Sequence, residues 1–177
     1  MIKEEGKTMS KQKRKQEFSE IIHHILISEE FQRRKTFKHH GEETVYDHSL
    51  KVAYYAYIWA KWLHLDAEAT ATGALLHDFY TTPWMDNPVK AKRIRDLHGF
   101  AHPKIAFENT EKYFPEVVNP KVKDIITKHM FPLTPIPPIY LESWLVTFAD
   151  KYVSLSVFKD VKNLPKYVGI NKHKKRK

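Results

Sequence analysis

Two polar residues close an otherwise apolar stretch, His77 and Asp78 in TATGALLHDFY, residues 70–80. Imidazole nitrogen and carboxylate oxygen are both ligand atoms for divalent ions, and an adjacent pair delivers both at one helix end. Four further residues of the same two types fall at inward positions, since residues three, four or seven apart share a helix face. His48 lies four before Val52 and eight before Ala56, and His77 follows Gly73 and Ala69 at intervals of four. Asp78 falls on the stripe of Ala71 and Ala74, and His129 follows Val118, Val122 and Ile125. Asp150 sits between Val146, Val153 and Val157, and His102 precedes Pro103 and Ala106 at a helix start. A lone inward His is usually a hydrogen-bonded core residue, and a lone inward Asp usually a cap or an Arg partner. Six of them on different helices or helix ends have a common explanation. Buried carboxylates are costly unless paired or metal-bound, and one divalent centre satisfies all six. The chain has no cysteine, so such a centre holds nitrogen and oxygen only. Iron, manganese, cobalt, nickel, zinc and magnesium all accept those ligands, as one ion or two.

The elements that must position these residues read as helices throughout. Phe18, Ile21, Ile22, Ile25, Leu26 and Phe31 recur at helical spacing over residues 16–34, and the polar KTFKHHGEETVYD breaks the pattern at Gly41. Residues 46–63 carry the stripe Ser49, Val52, Ala56, Trp59 and Leu63. Asp66 is a predicted N-cap for a helix from Ala67 to about Asp78. Residues 80–102 predict an irregular crossing with one short helix in VKAKRIRDL. Pro103 suits the first position of a helix continuing to Tyr113. A further helix is expected over 118–129, a proline-rich loop over 131–138 and a last long helix over 139–160. The expected fold class is all-α, a single helical bundle of six or seven helices over residues 16–162. A basic segment, 1–15, precedes it and a basic tail, 163–177, follows.

A length of 177 residues suits one domain, and 42% hydrophobic content suits a folded one. The net charge is +9, concentrated in KQKRK (11–15) and NKHKKRK (171–177). That field favours an anionic substrate and leaves nucleic acid open as a partner. Neither cluster interleaves aromatic residues, so no base-stacking platform is expected there. The absence of a long apolar run or of an apolar segment after the N-terminal charges gives no membrane span and no secretory signal, and cytoplasmic location as the default.

Together, YDHSLKVA, ALLHDFY and FADKYVSL resemble the His, His-Asp and distant Asp motifs of the HD-domain metal-dependent phosphohydrolases. The resemblance covers about residues 39–160 and implies that His48, His77, Asp78 and Asp150 are metal ligands. HPKIAFEN and IITKHMFP are similar to two additional motifs of the dinuclear members, which adds His102 and His129. His98 is the alternative to His102. HD-type diadenosine tetraphosphatases are the nearest subtype by this pattern, although FADKYVSL lacks the acidic and arginine residues associated with them. The GYP signature of cyclic-di-GMP phosphodiesterases is absent as well.

The resemblance implies cleavage of a phosphate ester or anhydride, with a nucleotide as the expected substrate. Bound metal acidifies a water for attack on phosphorus and stabilises the charge that develops on phosphate oxygen. Asp78, with two carboxylate oxygens, is the expected bridging ligand. Lys151 is a candidate catalytic cation, and Lys151, Lys128 and His40 are candidate substrate contacts, with Lys38 and His39 beside His40. Trp84 and Phe131 are candidates to stack on a base. The alternatives are a regulatory metal-binding module without turnover, and a nucleic-acid-associated protein acting through its basic ends.

Overall fold

A computed structural model describes the backbone of residues 2–37, 43–80 and 98–156, and the side chains of 11–37, 43–80 and 101–155. Every element among the described residues is helical. In chain order these are α1 (Ile2–Ile27), α2 (Glu29–Gln32), a 3-10 turn (Arg33–Thr36), α3 (Val45–Trp62) and α4 (Ala67–Leu76). They are followed by α5 (His98–Tyr113), a 3-10 turn (Pro115–Val117), α6 (Pro120–Lys128) and α7 (Leu141–Ser156). The all-α class expected from the periodicity is the observed one. No described helix is long and apolar enough to cross a membrane.

Several boundaries differ from the sequence-based expectation, each for a local reason. The helix expected over 16–34 extends back to Ile2 and divides at Ser28. The Ser28 backbone is extended, and its hydroxyl accepts from Phe31 N at 3.2 Å while donating to Ile25 O at 2.7 Å. A serine that serves the backbone in this way ends one helix and caps the next. α5 begins five residues before Pro103, which lies inside the helix and lacks only its own N–H bond. α6 starts at Pro120, not 118, because Asn119 Oδ1 accepts from both Lys121 N and Val122 N at 3.0 Å. α7 starts at Leu141, two residues later than expected. The short helix expected in VKAKRIRDL and the residues after 156 lie outside the described residues.

α4 is the central element, packed on α1, α3, α6 and α7. All its residues from Ala69 to Leu76 are buried. Asp66 caps it by accepting from Ala69 N at 3.0 Å, as its sequence position predicts. Small residues allow its neighbours to come close. A Cβ on Gly73 would lie 2.9 Å from Ile125 Cδ1 and Cγ2, so α4 and α6 touch backbone against side chain here. Around α4 the core is completed by Phe18, Ile22 and Ile25 from α1, Val52 and Ala56 from α3, and Val146 and Val153 from α7. Trp59 is only half-buried and Leu63, just past α3, is exposed, so the stripe of α3 leaves the core at its C-terminal end.

Two polar clusters fix the helix ends. Asp124 of α6 accepts from Ile139 N (2.9 Å), Tyr140 N (3.3 Å) and Ser143 Oγ (2.7 Å), satisfying the N-terminal end of α7 from another helix. Glu142 accepts from Asp66 N (3.2 Å) and Lys121 Nζ (2.8 Å), joining the starts of α4, α6 and α7.

Candidate metal centre

The six inward His and Asp residues meet at one place, delivered by five helices. His48 comes from the first turn of α3, fully buried, with Nε2 3.0 Å from Asp150 Oδ1 on α7. His77 and Asp78 follow the last turn of α4, His102 lies on α5, and His129 follows the last turn of α6. Asp78 Oδ2 is 3.5 Å from His77 Nε2, while its Oδ1 is 3.3 Å from His102 Nε2 and 3.7 Å from His129 Nε2. Asp150 Oδ1 lies 3.8 Å from His77 Nε2.

His77 and His129 are held alike. Each ring folds back on its own helix, with Nδ1–H donating to a carbonyl three residues earlier. The acceptors are Ala74 O at 2.7 Å and Ile126 O at 2.8 Å. A carbonyl only accepts, so the proton sits on Nδ1 and Nε2 faces the carboxylates. That is how metal-ligating histidines are usually oriented. Burial, with the neighbouring His77 and His102, pushes His129 down to about 3, so its ring is neutral and its Nε2 carries a lone pair. His102 Nε2, 2.9 Å away, donates to it. The two rings at the ends of α4 and α6 stand edge to face with centroids 4.9 Å apart.

The charges are those of a cation site. Burial works to raise Asp78, but the adjacent imidazole of His77 and the hydrogen bond from His102 hold its carboxyl well below the usual range. Burial likewise opposes ionisation of Asp150, and the hydrogen bond from His48 with the neighbouring imidazole of His77 outweighs it. His48 is lowered by burial but raised on balance by its hydrogen bond to Asp150. Two carboxylates therefore stay ionised in the interior.

The donor set fits a divalent ion. His48, His77 and Asp150 offer atoms all within 4.8 Å of one another, and so do His77, Asp78 and His129. Bonds of about 2.0–2.2 Å to a common ion would require such atoms to lie within about 4.4 Å of one another, a small contraction of this cluster. His77 Nε2, the atom common to both groups, is buried and makes no hydrogen bond. An orphaned, desolvated imidazole nitrogen between two carboxylates is explained by a ligand that accepts its lone pair.

The HD domain profile matches residues 45–155, well over half of the chain and a span that contains all six donors. The chain belongs to the HD-domain family. No curated protein and no solved structure matches it. HD domains form a superfamily of metal-dependent phosphohydrolases, and the buried His/Asp cluster of this chain has a donor set that could hold a divalent metal.

The other candidate residues are placed differently. Lys151 Nζ donates to His129 O at 3.2 Å and lies 3.9 Å from Asp150 Oδ2, with its side chain partly open at the edge of the cluster. Lys128 Nζ is 2.6 Å from Asp124 Oδ1, so its charge is directed to the cap of α7. Phe131 packs edge-on against Trp144 at 5.3 Å. Lys38, His39, His40 and Trp84 lie outside the described residues, as does the side chain of His98.

Two features near the cluster were not anticipated. Glu43 and Lys51 form a buried ion pair, and Glu43 adds to the upward shift of His48. The signal was present, since Lys51 is three residues after His48 on the same face. Arg34 is fully buried, its guanidinium 4.3 Å from the ring centroid of Phe79, the residue after Asp78. Its Nη1 donates to Glu30 O at 3.0 Å, while Nε and Nη2 have no hydrogen-bond partner. In the sequence it sits within the charged run RRK, which reads as solvated.

Proposed function

We propose that this HD-domain protein is a metal-dependent phosphohydrolase that cleaves an ester or anhydride bond of a small phosphorylated substrate, with nucleotides as the substrate class. The observation that carries this reading is the convergence of four imidazoles and two ionised carboxylates in the interior, with His77 Nε2 left without a hydrogen-bond partner among the described residues. His48, His77, Asp78 and Asp150 would hold one ion, and Asp78, His102 and His129 a second. Asp78 would serve both, since its two oxygens face different histidines. When bound, such ions acidify a water molecule and draw charge from the phosphate oxygens during in-line displacement.

The chain's own groups have distinct parts. His77 and His129 are fixed by their carbonyl partners, so little reorganisation accompanies binding. Lys151, tethered to His129 O beside Asp150, offers a partly open cation at the edge of the cluster among the described residues and is assigned to the substrate phosphate. His40 is assigned as a second substrate contact. Lys128, a substrate candidate by its place beside His129, is better supported as a positioning residue through Asp124.

The test is elemental analysis of protein purified without chelators, joined to a substrate panel. The panel comprises diadenosine tetraphosphate, nucleoside 5′-monophosphates, dNTPs and a phosphodiester. About two ions per chain and turnover of one class are expected. His77→Ala and Asp78→Ala should lose both metal and turnover. A metal-replete protein that hydrolyses nothing on the panel would identify a non-catalytic metal-binding module instead.

A further inference from the structure

The inward face of α7 supplies Val146, Ala149 and Val153 to the core and Asp150 to the metal cluster. Its outward face is unusual. Among the described side chains of this helix the exposed ones are Leu141 (64%), Phe148 (56%), Tyr152 (50%) and Leu155 (75%), and no charged residue is exposed to that degree. Their spacings of seven, four and three put them on one stripe. A surface helix of a monomer is normally polar on this side.

The stripe belongs to a wider patch. Half-buried Trp144 stacks on Phe148 with centroids 5.9 Å apart. Tyr152 is met edge-on by Tyr55 at 5.3 Å and Trp59 at 5.9 Å, both from α3. Leu133, Ile136 and Ile139, in the segment that leads into α7, are at least half exposed as well. At 150–250 Å² for a large side chain, these seven exposed residues present on the order of 700–800 Å² of apolar surface. Solvated monomers rarely leave that much apolar surface exposed along one helix face and the segment leading into it. It matches the about 800 Å² that each partner contributes to a standard interface.

Charge and symmetry select the occupant. The +9 excess lies in the two terminal clusters, and the outer face of α7 carries no strongly exposed charge, so two copies can meet through this face without like charges opposing one another. Dimer interface cores are depleted of charge and enriched in aromatic residues in the same way. A two-fold axis lays one surface on itself. Phe148 lies seven residues, about 10.5 Å, from both Leu141 and Leu155. We propose that the outer face of α7 is a homodimer interface with the two α7 helices antiparallel. Phe148 then lies opposite its own counterpart, and Leu141 opposite Leu155 of the second copy. This assignment is independent of the phosphohydrolase reading, since the stripe faces away from the metal cluster.

Light scattering and sedimentation equilibrium of the full chain over a dilution series test it. The wild type should have twice the 21.0 kDa chain mass and Phe148→Glu the single mass, with far-UV circular dichroism and metal content unchanged. The chain has no cysteine, which allows a second measurement that does not depend on disrupting the face. Phe148→Cys should oxidise to a covalent dimer at a rate insensitive to dilution, and Glu111→Cys on α5 should not. A wild type that is monomeric at every concentration overturns the proposal, whether residues 157–177 or a different protein then covers the patch. A dimer that survives Phe148→Glu and fails to cross-link through Phe148→Cys overturns it equally.

Discussion

At the scale of the residue, the site depends on a glycine as much as on its ligands. His77 lies one turn beyond Gly73 on α4, and His129 one turn beyond Ile125 on α6. The contact of Gly73 with Ile125 therefore sets the separation of the two rings. Gly73→Ala forces a methyl to 2.9 Å from Ile125, and overpacking of this kind costs about 1–3 kcal/mol. Its thermal midpoint should fall, and its metal affinity should fall further than that of an equally destabilised core variant. Ile125→Val removes one of the crowding atoms and should restore part of both. No recovery in the double variant would separate the packing from the site. The proposed ligands are not equivalent either. Asp78 faces His77 with one oxygen and His102 with the other, whereas His102 faces only the Asp78 side. Asp78→Ala should bring the metal count from about two to about zero, and His102→Ala to about one, read by elemental analysis. The six converging residues were legible in the sequence because each is a polar residue at a helical interval from small or aliphatic ones. Arg34 was not, since nothing local distinguishes a buried arginine from its solvated neighbour Arg33.

At the scale of the element, the cap of α7 links packing to the site. Asp124 receives two backbone N–H groups and the Ser143 hydroxyl from the start of the helix that carries Asp150. Lys128 neutralises it from one turn along α6. Asp124→Ala should cost about 2 kcal/mol, the sum of a lost cap and a lost buried hydrogen bond. The cost should depend on pH. Burial favours a higher pKa, but Lys128, Ser143 and the Ile139 amide hold the Asp124 carboxyl below its usual value. A depressed carboxyl stabilises the fold fully above its unfolded pKa of about 3.9 and loses that contribution as pH falls through the lower folded value. Urea unfolding should thus show wild type and Asp124→Ala well separated at neutral pH and converging in acid, and a constant gap would sink the assignment. Asp66, which caps its own helix three residues on, was readable from the sequence. Asp124 was not, because it caps a helix 15 to 19 residues further along, and only the fold creates that proximity. The same limit explains α5, whose start at His98 precedes the proline that looked like its first residue.

At the scale of the whole molecule, periodicity was enough to give the helical class and the inward faces, because amphipathic stripes report burial directly. It did not reveal the outer face of α7. A helix apolar on both sides reads as one deeply buried helix, and only the packing shows that Phe148 and Leu155 face outward. Metal binding should couple to the stability of this molecule as a unit. The six donors come from five helices, so the site exists only when α3, α4, α5, α6 and α7 are all in place. An unfolded chain scatters the same donors and binds metal weakly. A ligand that binds only the folded state at 100 times its Kd adds about 2.7 kcal/mol. Chelation should therefore lower the thermal midpoint of the full chain, and added divalent ion should restore it in a concentration-dependent way. Asp78→Ala supplies the control. With the ligand common to both proposed ions gone, its midpoint should respond to neither chelator nor metal, although it folds to the same helix content. A wild type indifferent to chelator, at a measured stoichiometry of about zero, would mean that the cluster is a hydrogen-bonded polar core and not a metal centre.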